Sequence, residues 1–104
     1  MNIWELAILR AVNVLGGEAD LQDIYGELPH FVQLTANHLA STKWGGRAAY
    51  QHQVRSHLTN LCQAGDLIRT ARGRYAVTPR GRQRIGEALV LADDPAAKIR
   101  ELFG

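Results

Sequence analysis

The chain has one cysteine, Cys62, in 104 residues. A lone thiol cannot build a disulfide framework or a cysteine cluster for zinc. Long apolar runs are missing too: none approaches the roughly 18–20 residues that span a bilayer. The opening Met1-Asn2-Ile3-Trp4-Glu5 lacks the basic flank and apolar stretch of a secretory signal. Together these scarcities lead to the expectation of a cytoplasmic protein with no membrane partner. Internal repeats and low-complexity tracts are absent as well. The length fits one domain, expected over residues 1–92, with 93–104 as a helical tail.

Acid is scarce in one stretch only. Residues 42–84 hold Lys43, Arg47, Arg55, Arg69, Arg72, Arg74, Arg80, Arg82 and Arg84 against the single carboxylate of Asp66. Residues 1–41 carry a net −4 and residues 85–104 a net −2, so the overall +2 conceals a basic centre. Such a patch makes a local field that attracts polyanions.

Helical spacing runs from Ile3 to Leu15 through Ile3, Leu6, Ala7, Ala11, Val14 and Leu15, widened by Leu9 and Val12, and Gly16-Gly17 stops it. Asp20 reads as the N-cap of a second helix, about Leu21 to Leu28, which buries Leu21, Ile24, Tyr25 and Leu28 before Pro29 ends it. Thr35 suits the start of a short helix through Ala40, and Ser41–Arg47 reads as a loop around paired glycines.

The clearest element is a helix from about Ala48 to Ala64. Tyr50, Val54, Leu58 and Leu61 make its buried stripe; His52, Ser56 and Thr59 lie near the opposite pole, flanked by Gln53 and Arg55. Gly65 closes it. Two strands, Leu67–Thr70 and Arg74–Val77, are joined by a turn at Ala71-Arg72-Gly73, giving a hairpin with arginines at 69, 72 and 74. Thr78-Pro79 starts a further helix. Arg80, Arg82 and Arg84 in its first turns oppose the helix dipole, and either an external anion or simple solvation would explain them. A last helix, Ala96–Phe103, presents Ile99, Leu102 and Phe103, which with Leu89 either close the core or seat a homodimer partner.

The fold expected is therefore mostly α with a small β-hairpin (α+β). Val54-Arg55-Ser56-His57-Leu58-Thr59-Asn60-Leu61-Cys62-Gln63-Ala64-Gly65-Asp66-Leu67-Ile68 resembles the core pattern of winged helix-turn-helix proteins, with Asp66 in place of the usual leucine. Arg72-Gly73-Arg74-Tyr75-Ala76-Val77-Thr78-Pro79-Arg80-Gly81-Arg82 resembles their wing and its exit. The N-terminal domain of Mrr-type restriction proteins is the family most similar, over roughly residues 3–90; the nuclease domain of those proteins has no room here.

That resemblance implies a recognition helix in the major groove of double-stranded DNA and a wing on the backbone or minor groove. Residue chemistry agrees. Arg55 suits guanine O6 and N7, Gln53 suits adenine, and His52, Ser56 and Thr59 suit base edges or phosphates. Lys43, Arg47, Arg69, Arg72, Arg74 and Arg80 are the expected backbone contacts. A regulator or DNA-reading module of a defence or mobile-element system is the role these features favour. The rival reading is a protein-interaction module on the same scaffold.

Other chemistry finds little support. His52 and His57, five apart on a helix, point away from each other and make a poor metal pair, even with His30 and His38. Cys62 reads as a packed thiol. Asp20, Asp23 and Glu27 share a helical face without a metal partner, and Gly45-Gly46-Arg47 lacks the lysine-serine pair of a phosphate loop. The expectation is a non-enzymatic chain without metal or cofactor.

Overall fold

The computed structural model describes residues 3–32 and 49–92. In chain order these form helix α1 (Ile3–Val14), strand β1 (Glu18–Asp20), helix α2 (Leu21–Glu27), a 3-10 turn (Leu28–His30), helix α3 (Ala49–Ala64), strands β2 (Leu67–Ala71) and β3 (Arg74–Val77), and helix α4 (Pro79–Ala92). The chain is mostly helical with a small antiparallel sheet. That sheet has three strands in the order β1-β3-β2, not the two of the expected hairpin. The short helix expected at 35–40, the loop at 41–47 and the segment 93–104 lie outside the described residues.

α1 and α3 both end on left-handed glycines. Gly17 N–H donates to Val12 O and Gly16 N–H to Asn13 O, with Gly16 at φ 102°. Asp66 N–H donates to Leu61 O and Gly65 N–H to Cys62 O, with Gly65 at φ 85°. These paired bonds satisfy carbonyls that a helix end leaves open, and a residue with a Cβ would adopt that φ only under strain. Each turn sends the chain directly into a strand.

α1 is apolar nearly all round, so periodicity alone does not choose its inner face. Ala7, Ile8, Leu9, Ala11 and Val12 are buried, whereas Ile3 is 63% and Val14 is 62% exposed. The helix is packed by α2, α3, α4 and the sheet, which moves its buried centre to Ile8, a residue outside the expected stripe. The stripe of α3 is as expected, with Tyr50, Val54, Leu58 and Leu61 all buried. Ile24, Tyr25, Leu28, Leu67, Val77 and Ile85 complete the core, and Trp4 packs at its edge. Full burial of each large aliphatic side chain contributes about 1.5–3 kcal/mol.

β1 is too short and too poor in strand-forming residues to stand out in the sequence. It pairs Glu18 with Ala76, Ala19 with Tyr75 and Asp20 with Arg74, and only Ala19 turns inward. Asp20 precedes α2 as expected but makes no side-chain cap. Its carboxylate is taken by Arg74, and Leu21 N–H donates instead to Gly73 O. α2 ends at Glu27, ahead of Pro29 as expected, and Leu28–His30 continue as a 3-10 turn.

α4 is capped as its sequence implies: Gly81 N–H donates to Thr78 Oγ1 at 3.0 Å, and Pro79 occupies the first turn. Thr78 N–H donates to Asp66 O at 3.0 Å, locking α4 onto the end of α3. Gly81 lies so close to this junction that a Cβ would overlap the Asp66 carbonyl and come within 2.9 Å of Val77 Cγ2. Gly86, on the same helix, has nothing within 4 Å. Gly81→Ala is therefore expected to lower stability by about 1–3 kcal/mol through overpacking. Gly86→Ala should raise it by about 0.5–1 kcal/mol through helix propensity. Paired urea titrations of the two variants read out the opposite signs.

Candidate nucleic-acid interface

With Tyr50, Val54, Leu58 and Leu61 in the core, the other side of α3 faces outward. His52, Gln53, Arg55, Ser56 and Thr59, all five expected base-contacting residues, are exposed there, together with Asn60 and Gln63. α3 carries no carboxylate anywhere along its length. Its rotation is fixed on the α1 side by His57 Nδ1, 3.1 Å from Glu5 Oε2, with both side chains about four-fifths buried. At the N-terminal end Tyr50 meets Tyr25 edge to face, centroids 5.9 Å apart. Thr59 Oγ1 donates to Arg55 O at 3.2 Å, leaving its lone pairs as acceptors.

Strand alternation sorts the hairpin side chains between two faces. Arg69 and Tyr75 are cross-strand partners on the face toward α3. With Leu58, Thr59, Cys62 and Gln63 they line a half-open hollow of about 210 Å³. Arg55 stands two helical turns before Cys62, about 20° away on the wheel, and so flanks the same side. The polar stripe of α3 and Arg69 thus share one surface, with Arg72 exposed at the hairpin turn.

Arg74 points to the opposite sheet face. Its Nε donates to Glu18 Oε2 at 2.6 Å and its Nη1 to Asp20 Oδ1 at 2.9 Å. These two hydrogen bonds, Glu18's first, raise its already high pKa further. Arg80 and Arg84 also have an internal partner. Asp66, fully buried, is bonded to Arg84 Nη1 through Oδ2, while its Oδ1 lies 3.6 Å from Arg80 Nε and accepts no hydrogen bond. For Arg80 and Arg84, though not for Arg82, the anion is Asp66 itself, supplied from inside the fold. Arg82 reaches over Gly17, where a Cβ would sit 2.9 Å from Nη2.

Among the described residues no carboxylate pairs with Arg55, Arg69 or Arg72. Of the expected backbone contacts, Arg69 and Arg72 accordingly keep their charge open, Arg74 and Arg80 are drawn to acids, and Lys43 and Arg47 lie outside the described residues. Cys62 packs against the core as expected. It is half-buried at the hollow, where burial raises its pKa and Arg69 partly opposes that shift. Gln63 and Tyr75 went unselected in the sequence; Gln63 was legible as the residue four after Thr59 and seven after Ser56 on one helical stripe. No helix of the described residues is long and apolar enough to cross a membrane, and no group of three or more potential metal ligands occurs among them.

The chain matches no protein-family model, no curated protein and no solved structure.

The Asp66 cluster fixes the hairpin against α3, and its two arginines are unequal. Arg84 is 30% exposed and Arg80 65%. Arg84→Gln strands a buried carboxylate and is expected to cost about 2–4 kcal/mol. Arg80→Gln removes a longer, solvated contact and should cost under about 1 kcal/mol. Comparable losses from the two in thermal unfolding would contradict this ranking.

Proposed function

We propose that this chain is a double-stranded DNA-binding module of the winged helix-turn-helix kind, acting in the cytoplasm as a regulator or DNA-reading part of a defence or mobile-element system. The observation that carries the reading is charge segregation across the sheet. The acids Glu18 and Asp20 share the outer face with Arg74, whereas the α3 side bears an acid-free polar stripe beside Arg69. A duplex approaching that side meets donors and open guanidinium groups without a fixed carboxylate in the way.

In this reading α3 enters the major groove, which admits a helix and displays a distinct donor and acceptor pattern for every base pair. Arg55 donates both arms of its guanidinium to guanine O6 and N7, and Gln53 pairs with adenine N6 and N7. Ser56 and His52 reach neighbouring base edges or phosphates. Thr59, while its proton serves the Arg55 carbonyl, accepts from a base amino group. The hairpin acts as the wing, Arg69 and Arg72 neutralising phosphates, with Lys43 and Arg47 adding to them. Arg74 and Arg80 contribute less because acids already hold them.

The test is duplex binding by the full chain across a salt series. With roughly three to five phosphates neutralised, log K should fall against log salt with a slope of about −3 to −4.5. Arg72→Gln should flatten that slope by about 1 on every sequence, and Arg55→Ala should cost about 1–3 kcal/mol and relax preference at one base pair. Glu18→Gln combined with Asp20→Asn releases Arg74 on the far face of the sheet, away from the duplex, and should leave the slope nearly unchanged. A chain that bound no duplex, or bound with no salt response, would falsify the proposal and favour a protein-docking role for the same face.

A further inference from the structure

The hollow between α3 and the hairpin differs in kind from the polar stripe beside it. Its lining includes Leu58, almost fully buried, the partly buried Tyr75 and the Cys62 thiol; its polar groups are Thr59, Gln63 and Arg69. Its volume is about 210 Å³. That is below the usual range for drug-sized ligands and matches one ring bearing one substituent. Among the described residues Arg69 is its sole charged residue, and no carboxylate of theirs answers it. The guanidinium field reaches into the hollow, since it acts on the Cys62 thiol against the effect of burial.

We infer that this hollow is a receptor site for a small planar monoanion, of the chemical class of aromatic carboxylates. The ring lies against Leu58, Tyr75 and Cys62, and the carboxylate accepts from Arg69 and the Gln63 amide. An inorganic anion satisfies only the guanidinium and leaves the apolar lining unmatched; a neutral ring leaves Arg69 without its charge-assisted bond. Thr59 and Arg69 also belong to the proposed DNA surface, so occupancy and duplex binding exclude one another. That competition rests on the DNA reading, whereas the receptor site rests on the hollow itself.

Benzoate is the probe, titrated into the isotope-labelled full chain. Saturable shifts confined to Leu58–Gln63, Arg69 and Tyr75 are expected, with Kd about 1 mM for so small a ligand. Benzamide and acetate should each bind at least about 5-fold more weakly, and Arg69→Gln should weaken benzoate by about 5–10-fold. Cys62→Leu, which fills the hollow, should abolish binding. Should that variant not fold, slowing of maleimide reaction at Cys62 by benzoate in the unaltered chain gives the same readout. Non-saturable shifts, shifts centred elsewhere, equal binding of benzamide, or an unaffected Arg69→Gln variant overturn the inference. Benzoate binding by a chain that ignores DNA would sustain the receptor site and remove the DNA reading alone.

Discussion

The rest of the architecture depends on a buried carboxylate at the junction of α3 and β2. Asp66 enters the strand directly after the glycine that ends the helix, with its side chain sealed from solvent. Burying an ion is costly unless opposite charge and hydrogen bonds compensate it. Here the compensation comes from α4, through Arg84 and Arg80, while the Asp66 carbonyl accepts from Thr78. The charge and the cap together leave α4 one way to sit. Because α4 and β3 are joined by a single residue, Thr78, that seat also fixes the hairpin relative to α3. A leucine at 66 would relieve the desolvation cost and remove the constraint. The interaction is better understood as specifying one arrangement than as a large source of stability.

A second effect follows from the same pairing of internal acids with arginines. The basic stretch 42–84 looks uniform in sequence, yet the fold divides it. Arg74 is drawn to β1, Arg80 and Arg84 to Asp66, and Arg55, Arg69, Arg72 and Arg82 are left without acidic partners among the described residues. Coulomb attraction at contact distance outweighs the diffuse field of a patch, so paired arginines add little to long-range attraction. The working charge for any polyanion is smaller than the count of arginines implies, and among the described residues of this stretch three of its four open arginines belong to α3 and the hairpin.

What the sequence disclosed and what it withheld divide along physical lines. α3 was legible because four large apolar residues at helical spacing oppose an uninterrupted polar face. The caps at Gly16-Gly17, Gly65 and Thr78-Pro79 were legible because backbone chemistry there is local. β1 was not, since three residues with two acids carry no strand pattern and owe their conformation to pairing with β3. The inner face of α1 was ambiguous because nearly every position is apolar. Asp66 was seen only as a departure from a familiar pattern. Its pairing with arginines 14 and 18 residues later is tertiary, and no spacing rule announces it. The outward residues of α3 were legible as a face; their juxtaposition with Arg69 needed the register that sets Arg69 opposite Tyr75.

That register also explains why the hollow and the polar stripe occur together. β2 is irregular between Arg69 and Ala71, so the strand places Arg69 inward toward α3 and then shifts its pairing before the turn. A regular ladder without the extra residue would change the relation between Arg69 and the turn, separating Arg69 from Arg72 as contributors to one surface. Thr70 is the extra residue between Arg69, on the α3 side, and the turn that carries Arg72. The proposed duplex face and the proposed receptor site share Arg69 and Thr59, and that sharing is the physical reason for expecting their occupants to interfere.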